Sequence, residues 1–82
     1  MTYARVEVDK DVFDALEKSV PVMVKDKWVY APKSRIIVES ERKVPMTTKQ
    51  TMIQILIPYW VFRKNYCYPS EATGYIESVE RN

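Results

Sequence analysis

Cations and aromatic rings interleave over a short stretch of the chain, at Lys25, Lys27, Trp28, Tyr30, Lys33 and Arg35. A surface of this kind can hold a polynucleotide, its cations meeting phosphates and its rings stacking on bases. The competing arrangement turns Trp28 and Tyr30 into the core and leaves the lysines to protect a sheet edge. For the two rings, the sequence favours that second arrangement. Other chemistry finds little support. The chain has no histidine, so the commonest general base is missing, and its one glycine cannot build a phosphate-cradling loop. Cys67 is the only cysteine and has no histidine to activate it. Asp9, Asp11 and Asp14 fit the cap and solvated face of a helix better than a cation site. No enzymatic activity, metal or cofactor is expected.

Charge placement also points to a partner. Residues 1–20 carry three bases and five acids, residues 21–64 nine bases and three acids, and residues 65–82 one base and three acids. A basic centre between acidic ends suits an anionic partner. The 82 residues predict one domain, 1–82. A domain this small buries only about 60–65% of its unfolded surface. Without a disulfide, the expected staple is oligomerisation. The N-terminus lacks the basic and apolar regions of a signal peptide, and with a single thiol this predicts a cytoplasmic setting. Met52–Phe62 is apolar but interrupted by Gln54 and Pro58, and spans 11 residues. A membrane helix needs about 20, so the run is expected to face protein and no membrane contact is foreseen.

The elements that position these residues can be read from periodicity. "TYARVEV" alternates, with Val6 and Val8 on one face and Tyr3, Arg5 and Glu7 on the other, which predicts a strand. Phe13, Leu16 and Val20, joined by Val12, recur at helical spacing. Asp9 or Asp11 would cap that helix and Pro21 would stop it. Val22–Val24 and Trp28–Tyr30 would pair across Lys25-Asp26-Lys27, and after a turn at "APKS" Ile36–Val38 supplies another strand. "TTKQTMIQILIPYWVFRKN" has capping-box spacing at Thr47 and Gln50, and helical spacing at Met52, Ile53, Leu56, Tyr59, Trp60 and Arg63. It is expected to be a helix kinked at Pro58 or ending near Ile57. A strand broken at Pro58 is the alternative. The tail, residues 66–82, would add a strand at Tyr75–Val79 or be loosely attached. The expected fold class is therefore α+β: an N-terminal strand and two helices, with a hairpin or three-stranded meander between them.

"ARVEVDKDVFDALEKS" and "MTTKQTMIQILI" together resemble the ribbon-helix-helix superfamily of DNA-binding regulators, with residues 21–46 as an unusual insertion between the two helices. The resemblance implies a homodimer whose N-terminal strands pair as a ribbon in the major groove of duplex DNA. Tyr3, Arg5 and Glu7 would then face base edges, while Thr47, Thr48 and Lys49 clamp phosphate at a helix N-terminus. The latter role has its own basis in the free amides and dipole of such an end. Ile53, Leu56, Ile57 and Trp60 would lie in the dimer interface, making "ILIPYWVF" a seam between subunits.

The expectation is thus a small DNA-binding homodimer acting in transcription regulation, with Lys25, Lys27 and Arg35 as further DNA contacts. The alternative is a protein-interaction module, an inhibitor or adaptor of another macromolecule. The orientation of Trp28, Tyr30 and Tyr68 separates the two readings. Rings flanked by Lys25, Lys27 and Arg35 favour nucleic acid, and an exposed cluster without lysines favours a protein.

Overall fold

The computed structural model describes residues 1–46 and 50–82. Its elements are β1 (Thr2–Asp9), α1 (Lys10–Ala15), β2 (Ser19–Val24), β3 (Lys27–Pro32), β4 (Ile37–Lys43), β5 (Thr51–Pro58), α2 (Tyr59–Lys64) and β6 (Tyr75–Glu80). Single 3-10 turns follow β3, at Lys33–Arg35, and precede β6, at Pro69–Glu71. Six strands form two sheets, a four-stranded antiparallel one ordered β4-β5-β1-β6 and the hairpin β2-β3. This strand-dominated fold replaces the expected pair of helices joined by a hairpin.

The main correction falls on residues 51–58. Ile53, Ile55 and Ile57 are buried at every second position, the period of a strand. In a nearly continuous apolar run, helical spacing and alternation coexist, and β-branched isoleucine packs well on a pleated surface. Pro58 ends β5 and stands immediately before α2, where its missing N–H disturbs no helical bond. The strand broken at Pro58 is therefore the arrangement adopted.

The first helix is shorter than its spacing predicts. Asp9 does cap it, its carboxylate accepting from the amides of Asp11 (2.9 Å) and Val12 (3.2 Å). Leu16 has already returned to extended backbone. Phe13 is the one buried helix residue, Val12 is exposed, and Val20 is buried from β2 instead. Pro21 lies inside β2 rather than ending a helix. The Met23 carbonyl on that strand accepts from Thr73 N at 2.8 Å, away from β3. Period-two alternation places the Pro21 nitrogen on the same outer edge, where no ladder bond is lost.

The core lies between the two sheets. Ala4 and Val6 of β1 and the three β5 isoleucines meet Val20, Val22, Val24, Val29 and Ala31 of the hairpin, with Phe13, Val61, Phe62 and Cys67 filling in. "ILIPYWVF" thus supplies Ile55, Ile57, Val61 and Phe62 to the core of its own chain. Leu56 is equally buried but lies outside this cluster, on the other face of the sheet. Residues 75–80 pair with β1, and Gly74 occupies the turn into them. Among the described residues, no helix is long and apolar enough to cross a membrane.

Candidate functional site

Two surfaces carry the residues singled out above. On the outer face of the large sheet, strand alternation brings Tyr3, Arg5 and Glu7 together. Arg5 pairs with Leu56 on β5 and Glu77 on β6. The β4 ladder shifts register between Val38 and Ser40, leaving Glu39 as the extra residue of a bulge. Arg5 Nε and Nη2 donate to the two Glu39 oxygens at 2.6 and 3.2 Å, and Nη1 donates to Glu77. Arg81 approaches Glu39 at 3.8 Å. Glu7 accepts from Arg42 Nε and Nη2 at 3.1 and 2.6 Å.

These bonds set the ionisation of the face. The hydrogen bond from Arg5 holds the Glu39 carboxyl below its ordinary range, and that from Arg42 does the same for Glu7. Both guanidinium groups are held more firmly protonated in return. All three nitrogens of Arg5 face carboxylates, so the expected base-reading residue spends its donors within the chain. Both edges of β1 are occupied, by β5 and β6, which leaves it no edge on which a second copy could pair. Thr47, Thr48 and Lys49 lie outside the described residues.

The residues assigned to a seam between subunits are placed separately. Ile53 and Ile57 are in the interior, Leu56 is beneath the charged face, and Trp60 is on the surface.

The second surface combines β3 with α2. On β3, Val29 and Ala31 turn inward against Val22 and Val20, and alternation sends Trp28 and Tyr30 outward. Trp28 is 52% exposed and Tyr30 61%, so the rings do not face the core as the sequence suggested. α2 packs along β3, and a groove between them is lined by Tyr30, Pro32, Trp60, Lys64 and Asn65. Lys27 donates to the Asn65 carbonyl, joining this groove to a second one lined by Lys25, Lys27, Tyr66, Tyr68 and Glu71. Arg63 lies 4.9 Å from the centre of the Tyr68 ring, within cation–π range.

The cations of this region differ in their commitments. Lys25 pairs with Glu71 at 3.3 Å. Lys33 is drawn away, donating to the carbonyls of Phe13 (2.8 Å) and Leu16 (2.6 Å) at the end of α1. A cation at a helix C-terminus is favoured by the dipole and by those unpaired carbonyls. Arg35 is exposed on its turn and lines neither groove. Among the described residues, Arg63 and Lys64 form no ion pair.

Sequence reasoning missed Trp60 as a surface ring, and Arg63, Lys64 and Tyr66 altogether as site residues. "YWVFRKNYCYP" repeats the mixture of rings and cations found on the hairpin, which was the available signal. Assigning Tyr59–Phe62 to a buried seam, and Arg63 and Lys64 to a helix end, concealed it.

A third feature is an apolar cleft where α1 and the end of β1 face β2, walled by Val8, Phe13, Pro21, Met23, Trp28 and Met52. Glu7 and Asp9 line it too, but both carboxylates are already bonded, to Arg42 and to the amides of α1. Compared with protein-family models, curated proteins and solved structures, the chain matches none.

Proposed function

We propose that the protein binds nucleic acid, and does so through the β2–β3 hairpin and α2 rather than through its N-terminal strand. One observation carries this reading: Tyr30, Trp60, Tyr66 and Tyr68 are exposed beside Lys25, Lys27, Arg63 and Lys64, and Trp28 is exposed on the same face of β3 as Tyr30. Exposed rings of this number are costly to leave in water and commonly mark an interaction surface. Their neighbours are cations, four against the two carboxylates Asp26 and Glu71, so the complementary partner is anionic. The outer sheet face offers no such surface, because its arginines are neutralised by Glu7, Glu39 and Glu77.

The test is fluorescence anisotropy with a labelled random-sequence oligonucleotide pool, offered both unpaired and annealed, from low to physiological salt. Binding should weaken as salt rises and fall further in a Arg63→Glu/Lys64→Glu variant. The absence of binding to either form at low salt would end this reading. A protein partner would then be the better account, favoured by the way Trp28 borders the apolar cleft with Met23 and Pro21.

A further inference from the structure

We infer that the hairpin–α2 surface prefers unpaired over duplex nucleic acid, an inference that rests on the nucleic-acid reading above. Trp28 and Tyr30 are two residues apart on one face of β3, so their attachment points stand about 6.6–6.8 Å apart. Both project from the sheet, and Trp60 lies across the groove from Tyr30. In a duplex each base is already covered by its neighbours in the stack, and a protruding ring can only meet a base by unstacking it. An unpaired strand offers its base faces freely, and a sheet carrying two or three rings is a platform suited to them.

The cations point the same way. Duplex binding without base readout depends on many phosphate contacts. Here Lys25 is paired with Glu71 and Lys27 is tied to the Asn65 carbonyl, leaving Arg63 and Lys64 as the cations readiest to meet phosphates. Two to four contacts give a shallow log–log salt slope of about −1.4 to −2.8 on a single strand, at about −0.7 per contact. Electrostatics that modest leave stacking as the main source of affinity. Nothing in this geometry addresses the sugar, so the shared chemistry of unpaired DNA and RNA is what the surface would recognise.

The experiment uses the intact protein and its own fluorescence, since both tryptophans of the chain, Trp28 and Trp60, lie on this surface. The protein is titrated with a 12-nucleotide oligo-dT, a 12-nucleotide oligo-U and a 12-base-pair duplex. Quenching by the single strands, with at least a tenfold tighter Kd than for the duplex and a shallow salt slope, is the expected result. The tighter of dT and U then identifies the sugar that is accommodated. Tyr30→Ala should weaken single-strand binding about 5- to 150-fold, the range of one lost stacking contact. Because Tyr30 is exposed, its thermal unfolding curve should match the parent's. Equal or tighter duplex binding would overturn the preference while leaving the nucleic-acid reading intact. No binding by any of the three would remove both.

Discussion

Arg5 and Glu39 are joined by a two-pronged ion pair although their strands are not neighbours, since β5 runs between β1 and β4. The bond passes over Leu56, the register partner of Arg5, which is fully buried although it lies outside the core between the sheets. A guanidinium and a carboxylate from the flanking strands thus roof an apolar side chain. Glu39 lies two residues from Ile37, the register partner of Leu56 on β4, and is the extra residue of the bulge there.

Leu56→Ala should therefore cost about 2–5 kcal/mol, as in a conventional core, despite its place on the outer face. Chemical denaturation would show this as a lower midpoint at unchanged slope. Arg5→Ala should also lower the midpoint, because it uncovers Leu56 and leaves Glu39 and Glu77 without their shared cation. Its affinity for oligonucleotides should equal the parent's. A selective loss of binding by Arg5→Ala would return the recognition role to β1.

Acidification should destabilise the protein through the same face. Glu39, Glu7 and Asp9 all have folded-state pKa values lowered by hydrogen bonds, from Arg5, from Arg42, and from the Val12 amide with Gln50. A depressed carboxylate contributes stability that is fully present above its unfolded pKa. That contribution is lost as pH falls through the folded value. Melting temperature should accordingly hold near neutrality and decline below the ordinary carboxylate range of about 4. Glu39→Gln should lower the neutral-pH plateau and flatten the decline, and an unchanged slope would exclude Glu39 from the linkage.

Gly74 should tolerate no side chain. Its φ is +83°, and a Cβ built there would fall 2.5 Å from the Glu7 carbonyl oxygen. The Gly74 carbonyl in turn accepts from Glu7 N at 2.9 Å, where the β1–β6 register shifts. Gly74→Ala should cost more than about 1 kcal/mol. Gly74→Asn, which relieves a left-handed φ elsewhere, should give no rescue here because the obstacle is fixed backbone. Thermal melts of the two variants side by side would decide the point.

The Cys67 thiol should react slowly with aqueous thiol reagents. It is 8% exposed and its sulfur lies 3.3 Å from the Phe62 carbonyl oxygen. Labelling in native buffer should follow the opening of the structure and become immediate in denaturant. Immediate labelling of the native protein would place the thiol on the surface.

The legible parts of this fold were those whose signal is local. The alternation in β1, the Asp9 cap and the pairing of Val22–Val24 with Trp28–Tyr30 depend on neighbours in sequence, and the structure has all three, though its turn is Lys25-Asp26 and Lys27 already pairs with Val24. Residues 51–58 were misassigned because nearly every position is apolar, so two periods fit at once, and only burial at Ile53, Ile55 and Ile57 separates them. The orientation of Trp28 and Tyr30 depended on parity, which is settled by the contacts of Val29 and Ala31 across the hairpin. The loss of Lys33 to the end of α1 and of Arg5 to Glu39 and Glu77 came from partners 17 to 72 residues away. No local pattern announces such pairs.

The place of β1 between β5 and β6 also fixes an order of events in time. The first strand leaves the ribosome well before either of the strands it must bond, and its last partner ends at Glu80. Closing the sheet therefore joins the extremes of the described chain, a step that topology makes slow, on the scale of about milliseconds to seconds for comparable strand-rich domains. Until β6 arrives, one edge of β1 stands open, so the nascent chain presents the sticky strand edge that the finished molecule conceals. The chain is thus most open to misassembly before residues 75–80 have joined the sheet.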